Sequence, residues 1–196
     1  METYIYFIRH AHSPFIFAQE RERPLSEEGI KSAKRLVASL KKVHFDAVLS
    51  SPYTQSLQTL EGLIDQPSKI IIEENLRERT LKGNYKLSED RIEQAMKDSY
   101  ENLDFRLDGG ESVREAQYRS LPIIFKIIEN QDFTNVAIGT HGNIMTNIIN
   151  YFDNSYGYDF WKSTEKPDVY KLTFNGYHLI SVTKIKFLNS NDTFLK

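Results

Sequence analysis

Two histidines stand where a chain could do chemistry on phosphorus. His10 follows Arg9 at the end of the apolar run Tyr4–Ile8, and His141 sits between Thr140 and Gly142 after the run Val136–Gly139. A neutral imidazole nitrogen can attack phosphorus and hold it as a phosphohistidine. A guanidinium such as Arg9 matches the planar edge of a phosphate with a two-pronged fork, and an imidazolium adds charged donors. The transition state spreads charge over three equatorial oxygens, so a fixed cationic pocket stabilises it. The leaving alcohol needs a proton from a nearby acid. No metal is required when side chains supply the positive charge. The two histidines are 131 positions apart, so this chemistry depends on a fold that makes their strands neighbours.

The elements that would position them are legible from pattern. Tyr4–Ile8 reads as a buried strand. Ser26 is a good N-cap, with Glu27 and Glu28 in the first turn and apolar residues at helical spacing from Ile30 to about Val43. Ala47–Leu49 reads as a short strand. Ser51-Pro52 predicts a helix from Pro52 to about Ile64, and Ile70–Ile72 a further buried strand. A helix is expected over about Glu89–Tyr100. Ser112 to Glu115 matches a capping box that opens a helix to about Ile128, with a kink expected at Pro122. Val136–Gly139 reads as a strand and Ile144–Tyr151 as a short apolar helix. Asn175-Gly176 predicts a hairpin between Val169–Phe174 and Tyr177–Ile185. Strand–helix alternation implies an α/β domain with a mostly parallel sheet and the antiparallel hairpin at one edge. Ligands in such sheets bind beyond the C-terminal strand ends, which selects Arg9-His10 and Thr140-His141-Gly142.

Composition narrows the class. The chain has 196 residues, 40% hydrophobic and 27% charged, with a net charge of −2. Residues 1–188 are expected to form one domain and 189–196 a loose tail. The charge balance offers no electrostatic case for nucleic acid or an anionic membrane. The absence of cysteine excludes disulfides, iron–sulfur clusters and a thiol nucleophile, and fits a reducing cytosol. The N-terminus lacks the pattern of a signal peptide, and no apolar run is long enough to span a bilayer. A cytoplasmic protein is expected. Oligomeric state and physiological substrate are not legible.

Six blocks together resemble the histidine phosphatase superfamily, also called the phosphoglycerate mutase-like family. They are Phe7-Ile8-Arg9-His10-Ala11-His12-Ser13, Leu25 to Gly29, Ser50 to Thr59, Leu76-Arg77-Glu78-Arg79, Gly109 to Ser112, and Gly139-Thr140-His141-Gly142. They occur in the family's order across most of the chain. The resemblance implies a three-layer α/β/α sandwich and a metal-independent phosphatase acting on phosphomonoesters without a cofactor. It implies that His10 is the phosphorylated nucleophile, Arg9 a phosphate ligand, His141 the second histidine on the phosphate oxygens, and Glu78 the proton donor. Ser13 is expected to contact phosphate through its hydroxyl. The partner is a phosphorylated small molecule or inorganic phosphate.

Two positions depart from the family's pattern. Ala11 and His12 replace the usual Gly and Glu or Gln after the nucleophile. Gln55 stands where the family has its second phosphate-binding arginine, and an amide offers hydrogen bonds but neither charge nor fork. His12, Arg77, Arg79 and Arg106 are candidates to replace that charge. A catalytically weakened or non-catalytic phosphate-binding protein is therefore one alternative, and a phosphoglycerate mutase-type phosphotransferase another. The pair His10-x-His12 also resembles the metal-binding pair of amidohydrolases, but those barrels typically need about 250 residues. The apolar stretch Pro14–Phe17 reads either as loop packing or as a wall preferring a hydrophobic leaving group. Trp161, with Tyr156, Tyr158 and Phe160, reads as packing.

Overall fold

The computed structural model describes residues 2–16 and 19–187. The expected tail over 189–196 and Phe17 lie outside the described residues. Strands β1 (Glu2–Arg9), β2 (Ala47–Ser50), β3 (Ile71–Ile72), β4 (Asn135–Thr140), β5 (Asp168–Asn175) and β6 (His178–Lys184) form a six-stranded sheet in the order β3-β2-β4-β1-β5-β6. The contacts β1·β4, β4·β2 and β2·β3 are parallel; β1·β5 and β5·β6 are antiparallel. The mostly parallel sheet with the hairpin at one edge is the architecture expected from the sequence.

Alternation along β1 assigns its two faces. Ile5 and Phe7 pack with Ile124 and Ile127 of α4 (Val113–Glu129) and with Ile144 and Ile148 of α5 (Gly142–Phe152). Tyr6 and Ile8 point the other way, onto Leu36, Val37 and Leu40 of α1 (Glu27–Leu40). Helices therefore cover both faces, and the central strands β2, β4, β1 and β5 are buried between them. Ser26 caps α1 by accepting from the Gly29 N–H, and the capping box at Ser112 has both arms formed. Pro122 lies inside α4. The carbonyl its missing N–H would have served belongs to Tyr118, an exposed residue on the water-facing side.

Three local expectations are corrected. The helix expected over Pro52–Ile64 is only Thr54–Thr59, α2. Ser51 does not cap it, because its hydroxyl bonds a histidine ring on β4's far end, and Leu60 ends the helix. The strand at Ile70–Ile72 is a two-residue edge, Ile71–Ile72, exposed rather than buried because β3 is the outermost strand beside β2. Besides α3 (Glu89–Glu101), a short helix α6 (Tyr158–Ser163) appears in the aromatic stretch before the hairpin. Among the described residues, no helix is long and apolar enough to cross a membrane.

Candidate active site

Strand register places the site. Arg9 of β1 stands opposite Thr140 of β4, and Gly139 stands opposite Ser50 of β2. The residues that follow, His10, His141 and Ser51, therefore leave the sheet side by side. The two imidazoles lie 5.2 Å apart between centroids, edge to face.

The loop carrying His10 is held at every step. The His10 N–H donates to the Thr140 carbonyl at 3.0 Å, and the Ala11 N–H to Thr59 Oγ1 at 2.9 Å. The His12 carbonyl accepts from the Ser26 N–H at 3.0 Å. Gly29 is required beside it, because a Cβ there would lie 2.1 Å from the His12 carbonyl oxygen. His10 Nδ1 lies 2.7 Å from the Ala11 carbonyl oxygen. A carbonyl only accepts, so Nδ1 carries the proton and Nε2 keeps its lone pair. His141 Nε2 is fixed at 2.7 Å by Ser51 Oγ, and Tyr53 packs its ring edge-on.

Over these rings opens a cavity of about 220 Å³. Its walls carry four cations, Arg9, Arg23, Arg79 and Lys166, two acids, Glu20 and Glu78, and the amide of Gln55. Burial, reinforced by Lys166, Arg23 and Arg9, pushes His10 down to about 3. Burial, then His10, Arg23 and Arg9, holds His141 well below the usual imidazole range. This keeps both rings neutral, which is the state a histidine nucleophile needs.

Glu78 lies where α5 begins. Its Oε1 accepts from the Arg79 and Ile144 N–H groups at 2.9 and 2.8 Å, and its Oε2 from the Asn143 N–H at 3.1 Å. Burial raises this carboxyl above the usual range despite those three donors and the Arg9 charge. Oε2, with the single long bond, is the oxygen free to carry a transferable proton. Arg9 crosses the same helix start: its Nη1 donates to the Thr164 carbonyl at 2.8 Å and contacts the Thr164 hydroxyl. Gly142 gives it room, since a Cβ there would sit 2.7 Å from the guanidinium carbon.

The structure thus brings Arg9, His10, Gln55, Glu78 and His141 onto one cavity. Ser13 is buried elsewhere in the loop, donating to the Pro24 carbonyl at 2.7 Å. Of the cations considered as replacements, Arg79 alone lines the cavity. Arg77 pairs with Glu111 and Arg106 with Glu115, while His12 bonds Ser26. Phe15 lines the cavity mouth, and so does Trp161, which sequence reasoning assigned to packing. Arg23 and Lys166 were missed. The signal for Lys166 was topological: β5 runs antiparallel to β1 with Asp168 opposite Arg9, so the residue two before it stands at the same sheet edge.

A sequence model of the histidine phosphatase superfamily, branch 1, matches residues 5–183. No curated protein sequence matches the chain. Among solved structures, a mycobacterial glucosyl-3-phosphoglycerate phosphatase with inorganic phosphate aligns with a TM-score of 0.71 at 18% identity, covering 87% of this chain and 89% of that one. The same mycobacterial phosphatase with VO3 aligns at 0.73 and 17%, covering 93% and 97%. A phosphoglycerate mutase from Bacillus anthracis strain Sterne aligns at 0.71 and 21%, covering 94% and 92%. At these identities the likeness is one of fold.

Proposed function

Because the chain belongs to the histidine phosphatase superfamily, branch 1, we propose that it is a phosphomonoesterase working through a phosphohistidine on His10. One observation carries the reading. A neutral His10, with Nδ1 tied to a carbonyl and Nε2 bearing its lone pair, stands beside His141 on a cavity ringed by cations. The cationic walls hold a phosphate dianion without help from a metal. His10 Nε2 attacks phosphorus as the P–O bond to the leaving alcohol breaks, and Glu78 passes its proton to that oxygen. Water then attacks the phosphohistidine, Glu78 takes the proton back, the P–N bond breaks and inorganic phosphate departs. Arg9 and His141 hold the equatorial oxygens in both steps.

The wall chemistry points to a leaving group with an apolar part. A groove of about 880 Å³ shares Phe15, Glu20, Tyr53, Arg79, Leu81 and Ile92 with the catalytic cavity. That is more room than a three-carbon sugar acid needs. Gln55 supports a second reading, a phosphate-binding protein with slow turnover, because it puts a neutral amide at the family's second arginine position.

A panel of phosphomonoesters decides among these. Wild type is expected to hydrolyse 1-naphthyl phosphate with kcat/KM at least tenfold above glycerol phosphate, and His10→Ala to be inactive on both. Phosphate binding without turnover would select the second reading. Interconversion of phosphoglycerate isomers in place of hydrolysis would make the chain a mutase.

A further inference from the structure

We propose that Arg23 supplies the cationic phosphate contact that Gln55 cannot; this rests on the reading of the cavity as a phosphate site. Gln55 is 1% exposed and lines the cavity. Its Nε2 is already given to the Glu20 carbonyl at 3.0 Å, and its buried Oε1 has no hydrogen-bond partner. With one N–H spent on the Glu20 carbonyl and an oxygen that repels an anion, this amide offers a phosphate at most one neutral donor and no charge.

Arg23 reaches the same cavity from the loop between β1 and α1. One Nη is anchored on the Ser13 carbonyl at 2.7 Å, and the Ser13 hydroxyl in turn donates to the Pro24 carbonyl at 2.7 Å. The loop therefore closes on both sides of the arginine and fixes its stem. Ser13 positions Arg23, which gives the serine a role other than a direct bond to phosphate. The rest of the fork is unspent. Arg23 Nε is buried with no hydrogen-bond partner, and among the described residues Arg23 makes no ion pair within 4.0 Å. A half-buried guanidinium that keeps an unpaired N–H beside two imidazoles can bind an anion through it.

The other cations on the cavity fit the role less well. Arg79 also keeps one buried Nη without a partner, but its Nε is given to the Glu111 carbonyl at 2.7 Å and its other Nη to Ser99 at 2.9 Å, so less of its fork is left for a ligand. Lys166 is a point charge without a fork, on an exposed residue. The charge of Arg23 acts on both His10 and His141.

The test uses the full chain with Arg23→Gln, Arg23→Lys, and Gln55→Arg built into Arg23→Gln. The readouts are kcat/KM on p-nitrophenyl phosphate, inhibition by vanadate, and the rise in Tm given by inorganic phosphate. Arg23→Gln is expected to lose about 10²–10³-fold in kcat/KM, the typical cost of a missing transition-state donor. Its vanadate inhibition constant should rise at least tenfold and its phosphate-induced Tm rise should vanish. Gln55→Arg should restore tenfold or more in that background, which a merely structural role for Arg23 would not allow. A folded Arg23→Gln within threefold of wild type on all readouts overturns the proposal, as does a folded double variant with no recovery. If Arg23→Gln fails to fold, Arg23→Lys replaces it, with a tenfold loss expected and no loss overturning. A wild type that binds phosphate without turnover would defeat the proposed hydrolysis alone, and the phosphate-induced Tm rise would still decide Arg23. A wild type that binds neither anion defeats both.

Discussion

Glu78 carries two duties that pull its carboxyl in opposite directions. Its oxygens accept three backbone N–H groups at the start of α5, which favours the carboxylate, while burial favours the acid and prevails. In the proposed mechanism the protonated form is the competent one for the first step. Activity should therefore fall as pH rises through the elevated Glu78 value, and Glu78→Gln should lose this alkaline limb. The same variant should lose about 10²–10⁴-fold on alkyl phosphates and less on p-nitrophenyl phosphate, whose leaving group needs little protonation. Rate profiles over pH on the two substrates check this; an unchanged alkaline limb in the variant would remove Glu78 as the acid. Arg9, His10, Glu78 and His141 were legible because each belongs to a compact motif. Arg23 and Lys166 belong to none. They qualify only through what they face, and a one-dimensional pattern does not carry that.

Elements were legible wherever local chemistry and tertiary context agree. The capping box at Ser112, the Asn175-Gly176 turn and the apolar run of β1 are such places. Ser51-Pro52 is where they disagree. Its residues have the local form of a helix start, yet the serine hydroxyl is worth more as the support that holds His141 Nε2. Likewise Ile71 and Ile72 look like a core strand but form an exposed edge, because strand order cannot be read from hydrophobicity. The start of α5 gives a test at this scale. Its first residue, Gly142, lies under the Arg9 guanidinium, whose Nε and one Nη would each be 2.9 Å from an added Cβ. Gly142→Ala puts a better helix former at the first position of α5 and displaces the fork. A loss of tenfold or more in kcat/KM is expected, with the circular dichroism spectrum unchanged. Wild-type kinetics in that variant would mean that Arg9 does not need its present position.

Taken as a whole, the chain is nearly neutral, with a net charge of −2, yet it gathers four cations around two uncharged imidazoles. Burying the rings in neutral form has a signature in stability. An unfolded histidine titrates near 6.5, whereas His10 is held down to about 3 and His141 is also depressed. Below pH 6.5 the unfolded chain binds protons that the folded chain refuses. Stability from these groups is thus complete above that pH and lost as pH falls toward the folded values, for His10 by about 1.4 kcal/mol per pH unit. Urea titrations from pH 7 to pH 4 should show stability falling with pH, and His10→Ala should make that fall shallower. Equal slopes in both proteins would contradict the neutral-ring state. Bound phosphate brings the opposite charge and draws the rings upward, so phosphate binding should take up protons and should offset part of the acid instability.

The most direct test of the account is the site of phosphoryl transfer. Wild-type protein mixed with 1-naphthyl phosphate, quenched in alkali and digested, should carry one phosphoryl group on the His10 imidazole. The modification should be absent from His10→Ala. A phosphoryl group on any other residue, or turnover by His10→Ala at the wild-type rate, would contradict the account.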